Sequence, residues 1–443
     1  MKIFTFFVTL FCINFCVAQS HYEIIESVNS DRIEKDIRKL VSFGTRHTMS
    51  ETVSDSRGIG AARRWIYSEF ERISKECGGC LELSYQRTLE KGNSKTRITR
   101  DTEVVNVLAI KRGSKYPNRY VIMAGDIDSR VSDPLNYTDD SPGANDNASG
   151  MAGVLEAARV LSKYDYESSI LLVGLSGEEQ GLYGGRHLAA KAIDEGWDII
   201  GVLNNDMIGN IEGVDGVIDN RTFRIFSEPT APTDSAFKVR LRRYYGGEVD
   251  GVSRQLARYV YTMTKKYMPE MNPKMIYRLD RFGRGGHHRP FCDRGFAGIR
   301  IMEAHENYTR QHQDLRVEDG ISYGDVIEGV NFDYANKLTA VNAITLAALA
   351  SSPPEPKNVK IGGAVKPSTT LAWDKIDDDN LSHYKIYFRE TTSPTWDSYR
   401  IVDKGTTKFT LEGIVIDNYL FGVASVGADG NESLVVFPGE VMR

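Results

Sequence analysis

The chain has 443 residues, 41% hydrophobic and 26% charged, with a formal net charge of −5. That length allows a large core and more than one domain. The acidic balance argues against a nucleic-acid partner, which needs a clustered basic face, and no stretch beyond the amino terminus is apolar for long enough to span a bilayer.

The chain opens "MKIFTFFVTLFCINFCVAQS", with Lys2, an apolar run to Val17 and then the small Ala18. This is the pattern of a cleaved secretory leader over residues 1–18. It predicts export to the periplasm or the cell exterior. Cys12 and Cys16 leave with the leader, so Cys77, Cys80 and Cys292 remain. In an oxidising compartment "ECGGC" predicts a local Cys77–Cys80 disulfide, with Cys292 left over and buried. Residues 30–43 and 58–73 show helical spacing, the second with Ala62, Trp65, Ile66, Phe70 and Ile73 on one face.

Strands are then predicted at 104–110, 120–124, 169–175, 199–204, 274–279 and 297–302. Helices are predicted at 149–164, 183–192, 252–267 and 322–350. Continuous apolar strands alternating with amphipathic helices predict an α/β fold, a mostly parallel sheet covered on both faces. Such sheets bind ligands beyond the carboxyl ends of their strands. The segment 213–251, rich in arginine and aromatic residues, is expected to cover and restrict such a site.

At "SSPPEPKNVKI" the prolines Pro353, Pro354 and Pro356 mark a linker. Residues 353–443 then show short strands and no helical pattern, as in "STTLAWD" and "HYKIYFRE", and predict a small all-β sandwich. This part resembles a fibronectin type III domain, with Trp373 in the place of its core tryptophan and Tyr419 in that of the tyrosine corner. A separable module that supplies no chemistry, but positions or attaches the protein outside the cell, is the expectation.

The chemistry gathers at the predicted strand ends. "VIMAGDIDSR" closes a strand with Asp126 and Asp128, two acids that point the same way in extended chain. "SPGANDNASG" places Asp146 in a turn before a helix. "GLSGEEQGLYGG" supplies Glu178 and Glu179, "LNNDMIGN" supplies Asp206, and "RIMEAHENYTRQHQD" supplies Glu303, His305, His312 and Asp314. Alone, each is an ordinary cap or turn residue. Together on one rim they repel unless a cation binds, and carboxylates with an imidazole fit zinc or another divalent first-row metal.

In this order, the motifs resemble those of the secreted zinc aminopeptidase family that also contains glutamate carboxypeptidases and glutaminyl cyclases. The match runs over roughly residues 30–350, within a metallopeptidase domain placed at 19–352. The resemblance implies two metal sites bridged by Asp146. Asp206 would serve the first and Glu179 with His312 the second. Glu178 would be the general base and Asp128 the acid that orients a ligand. Two departures stand out. The family's histidine two residues before that acid is Asp126 here, proposed as a ligand of the first metal. Its acid in "DHxPF" is His287 in "GGHHRPF". His287 and His288 are expected to line the substrate pocket, and His47 and His187 to be structural or on the surface. An all-oxygen first site would hold zinc less selectively and exchange with another divalent ion. The implied activity is an exported aminopeptidase acting on peptides. A glutaminyl cyclase-type transferase and a non-catalytic peptide-binding relic are the alternatives.

Overall fold

A computed structural model gives the fold over residues 21–442, so the leader-like segment lies outside the described residues. The main sheet contains β1 (Leu81–Glu90), β2 (Thr102–Lys111), β3 (Tyr116–Asp126), β4 (Ser168–Leu175), β5 (Asp198–Asn205), β6 (Thr222–Ser227), β7 (Asn272–Ile276) and β8 (Gly298–Glu303). Their order is β1-β2-β4-β3-β5-β8-β6-β7. β4, β3, β5 and β8 run parallel at the centre. β1 and β2 join antiparallel on one side and β6 on the other, with β7 parallel to β6.

The central strands are apolar throughout because both faces are covered. In β3, Val121 and Met123 pack into the core on one face, and Ile122 and Ala124 into the core on the other. The two-residue period of strand side chains imposes this split. Helices Gly150–Leu161 and Phe332–Ser351 fill the first core, where Leu338, Val341, Ile344 and Leu346 are fully buried. Each such side chain contributes about 1.5–3 kcal/mol relative to exposure. Helix Tyr183–Asp194 covers the opposite face through Leu188, Ala189 and Ala192.

β1 and β6 were not expected, and two boundaries differ. β7 begins at Asn272 and ends at Ile276, earlier than the sequence pattern placed it. The last helix starts at Phe332, well after residue 322. Ile321–Tyr323 instead pairs with Arg316–Glu318, and Asn331 caps the helix by accepting from Tyr334 N. Cys77 and Cys80 form the expected disulfide, and Cys292 is free and buried. No helix among the described residues is long and apolar enough to cross a membrane.

The C-terminal part forms a four-stranded and a three-stranded sheet around one core. Trp373 fills that core, edge-on to Tyr384 at 5.2 Å. Tyr419 begins its strand and packs edge-on against Phe388 at 5.7 Å. Among the described residues its hydroxyl makes no tyrosine-corner hydrogen bond, and ring packing fixes it. The proline junction does not leave this module free. Asp250, buried ahead of helix Val252–Tyr267, accepts from Arg258 Nη1 at 2.8 Å and, with each oxygen, from Arg389 Nη2 at 2.9 Å. Arg389 lies on the module strand Leu381–Glu390. Trp396 Nε1 donates to Gln255 Oε1 at 3.2 Å, and Asp378 accepts from Lys115 Nζ at 2.7 Å. The segment 213–251, expected to cover the site, divides: Arg224 and Phe226 line a cleft beside His312, and its helix lies elsewhere. Helix Ala236–Tyr245 borders a cleft of about 760 Å³ against module residues Tyr419 and Phe437, and no metal-motif residue lines it.

Candidate metal centre and active site

The parallel strands carry their acids to one rim. Beyond β3, Asp128 accepts from Glu178 N at 3.2 Å through Oδ1 and from Glu179 N at 3.0 Å through Oδ2. One carboxylate thus fixes the turn that holds both glutamates. Gly177 enters that turn at φ +75°, where a side chain would be strained. Asp146 sits in the turn Ala144–Ser149. Asp325 holds it in place, accepting from Asn145 N at 2.8 Å and from Asp146 N at 2.6 Å. The motif closes on Gly150 because a Cβ there would lie 2.1 Å from Asn205 O. His312 adopts φ +54°, a left-handed conformation that costs on the order of 1–3 kcal/mol and persists at sites the surroundings over-determine.

These elements converge. His312 Nε2 lies 2.9 Å from Asp146 Oδ2 and 2.8 Å from Glu179 Oε1. One donor atom from each of the three falls within 4.8 Å of the others, and among the described residues no other such group occurs. Two carboxylates and an imidazole are a donor set that fits zinc with a position left for water. Burial opposes charge on His312, yet Glu179 and Asp146 hold its pKa up at about 9. Glu178 stands beside this group, partly buried, its carboxylate without a hydrogen-bond partner among the described residues. Burial, then the charges of Glu179, Asp206, Asp126 and Asp146, push it well above the ordinary carboxylate range.

The other expected residues each have partners of their own. Asp206 Oδ1 lies 3.1 Å from Arg300 Nη2, and Arg300 Nη1 reaches Asp280 Oδ1 at 3.0 Å. Asp126 has both oxygens engaged, Oδ1 2.5 Å from His287 Nδ1 and Oδ2 accepting from Asn147 Nδ2 at 2.6 Å. Asp126 and Asp206 lie close enough to Asp146 for its charge to act on both, while the tightly gathered group of donor atoms is that of Asp146, Glu179 and His312. Glu303 is buried and braces turns, accepting from Asn145 Nδ2 at 2.9 Å and Asn210 N at 2.8 Å. His305 lies 3.9 Å from Asp219, and Asp314 accepts from Ser132 N. His287 and His288 are fully buried and do not line the cleft beside His312. His288 Nε2 bonds Leu279 O at 2.7 Å. His47 is buried against Pro134 O, and His187 pairs with Glu90.

Three residues the sequence pattern did not single out complete the site. Arg130 Nε donates to Glu179 Oε2 at 2.8 Å, and its Nη2 lies 2.7 Å from His312 Nδ1. Were His312 to hold a metal through Nε2, its Nδ1 would carry the proton and the contact with Arg130 Nη2 would be given up. Gln311 Nε2 donates to Asp146 Oδ2 at 3.2 Å, and Asp325 positions the Asp146 backbone. Arg130 closes the stretch that carries Asp126 and Asp128. Its position in that stretch is the only signal the sequence holds for it.

Residues 106–326, which contain this site, match the family model "Peptidase family M28". A probable zinc metalloprotease of Pyrenophora tritici-repentis is 37% identical over 420 residues, spanning 94% of this chain and 96% of that relative. The chain belongs to peptidase family M28. A probable zinc metalloprotease of Pyrenophora teres f. teres is 40% identical over 418 residues, covering 94% of this chain and 86% of the relative. Solved structures share the fold. The LapA aminopeptidase of Legionella pneumophila aligns with a TM-score of 0.53 at 18% identity, covering 75% of each chain. A glutaminyl cyclase of Macrostomum lignano aligns at 0.52 and 14% identity, covering 73% of this chain and 90% of that one.

In this member of family M28 the two residues that depart from the family pattern meet. Asp126 Oδ1 and His287 Nδ1 touch, a carboxylate facing an imidazole. Burial pushes Asp126 up to about 8 and His287 down to about 4, so the pair is neutral overall. Asp126→His alone would bury one imidazole against another and is expected to cost about 1–3 kcal/mol. Adding His287→Asp should restore most of the loss in thermal melting. A single variant as stable as the native protein would show that this pair is not a constraint.

Proposed function

We propose that this family M28 protein is a zinc-dependent aminopeptidase that hydrolyses amino-terminal peptide bonds. The observation that carries the reading is the Asp146–Glu179–His312 group with the unpartnered Glu178 beside it. A zinc ion held by those three residues supplies Lewis acidity toward the scissile carbonyl and lowers the pKa of a water. Glu178, whose carboxylate has no hydrogen-bond partner among the described residues, would take the proton from the attacking water and deliver it to the leaving amine. Asp128 keeps Glu178 and Glu179 apart in role by fixing both backbones, and Arg130 steadies Glu179. The aminopeptidase fold of the structural neighbours supports exopeptidase action. Export is part of the same reading, supported by the leader-like residues 1–18 and by the Cys77–Cys80 disulfide, a bond that oxidising compartments maintain.

The assembled donor group predicts at least about one tightly held zinc per chain after dialysis, read by elemental mass spectrometry. His312→Ala should lower that figure several-fold, and unchanged zinc would exclude His312 as a ligand. The activity is tested by incubating the zinc-loaded protein with short peptides. Release of the free amino-terminal residue supports the proposal. Conversion of amino-terminal glutamine to a cyclic product without release would assign the cyclase alternative.

A further inference from the structure

A cleft of about 670 Å³ opens beside His312 and is lined by Arg130, Arg224, Arg278, Arg281 and Arg284. Against these five guanidinium groups its lining holds one acid, Glu306. Glu306 is already committed, to Arg224 Nη2 at 2.9 Å and to Arg281 Nη1 at 2.6 Å. Arg130 is committed to Glu179. Arg278 and Arg284 are exposed, and among the described residues neither has an acidic partner within ion-pair distance. Arg278 instead stacks on Phe282, 5.5 Å from the ring centre, and Phe282 is 87% exposed. A chain with a net charge of −5 therefore concentrates positive charge at the mouth of its metal-ligand group. Like charges gathered in a cleft repel, and the arrangement is relieved by an anion that enters. Guanidinium groups are the side chains best shaped to grip a carboxylate through paired hydrogen bonds.

We infer that the cleft selects peptides carrying a glutamate or aspartate side chain next to the scissile bond, with Arg278 and Arg284 as the specificity-determining residues. This inference rests on the peptidase reading above. The substrate's acidic side chain would lie between the two free guanidinium groups, and Phe226, Ile276 and Phe282 would pack against its methylenes. A neutral isostere such as glutamine fits the same space and forgoes the charge-assisted bonds, so the discrimination is electrostatic and weakens with salt.

The test compares Glu-Ala with Gln-Ala, and Ala-Glu with Ala-Gln, on the zinc-loaded full-length protein. At one of the two positions kcat/KM for glutamate should exceed that for glutamine by about tenfold or more, and the ratio should fall as sodium chloride is raised. In Arg278→Ala/Arg284→Ala the ratio should drop to near one. Hydrolysis without a glutamate preference, or a preference that survives both substitutions, overturns the inference and leaves the peptidase reading standing. If no peptide is cleaved, the peptidase reading fails, and calorimetric titration of Glu-Ala and Gln-Ala into the same protein decides the selectivity. Tighter Glu-Ala binding that is lost in the arginine variant supports it, and equal affinities overturn it.

Discussion

Glu178→Gln is expected to lower kcat by at least about a hundredfold while leaving the fold and the bound zinc unchanged. The amide keeps the shape of the side chain but cannot accept the proton. The proposed ligand atoms belong to Asp146, Glu179 and His312, so the metal should stay. Asp128 grips the turn through the backbone N–H groups of Glu178 and Glu179, so the local geometry should stay as well. The pairing of the two readouts separates the roles. A loss of zinc together with activity would make Glu178 a ligand, and full activity would remove it from the mechanism. Glu179→Gln is the useful contrast, because it weakens a ligand directly and should lose both together.

The second large effect is on stability. Asp250→Ala is expected to cost roughly 3–5 kcal/mol, the range for breaking a buried charge pair by removing one partner. Arg258 and Arg389 are both almost fully buried, and Asp250 is the carboxylate that accepts from each. Without it, two guanidinium charges face each other in the seam between the peptidase sheet and the C-terminal module. Chemical denaturation measures the loss. Asp250→Ala/Arg389→Met should recover part of it, since one uncompensated charge is then gone. A cost below about 1 kcal/mol would mean that water reaches the seam and screens the pair. On the same argument, removing the module should lower stability and not merely shorten the protein. Asp378, Trp396 and Arg389 all bond to peptidase residues across the junction.

The central strands, the order of the helices and the acids at the strand ends were legible because local pattern reports them. An apolar run such as Val121–Ala124 can sit only where both faces are covered, and a glycine-rich turn beside a carboxylate marks a strand end. Edge strands were less legible. β1 alternates polar and half-buried residues and carries little apolar signal. The helix expected from residue 322 begins later because Ile321 and Tyr323, two apart as on one face of a strand, belong to a hairpin, and Asn331 caps the helix. At the site, the group members came through by motif, whereas their partners did not. Arg300, Asp325 and His287 reach the rim from loops and strands far away in sequence, and Arg130 meets His312 across 182 residues. Asp126 was therefore read by position alone. What decides its contacts is His287, 161 residues away. The proline junction misled for a similar reason. Prolines report backbone stiffness at residues 353–356, while docking is set by Asp250 on one side and Arg389 on the other.

The central claim is that zinc at Asp146, Glu179 and His312 drives removal of amino-terminal residues from peptides. The most direct measurement strips the full-length protein with a chelator, reloads it with zinc, and follows release of the free amino-terminal residue by mass spectrometry. The account predicts no release from the stripped protein, release after reloading, and none from reloaded His312→Ala. Equal release from stripped and reloaded protein, or a reloaded native protein that frees no amino-terminal residue, would contradict it.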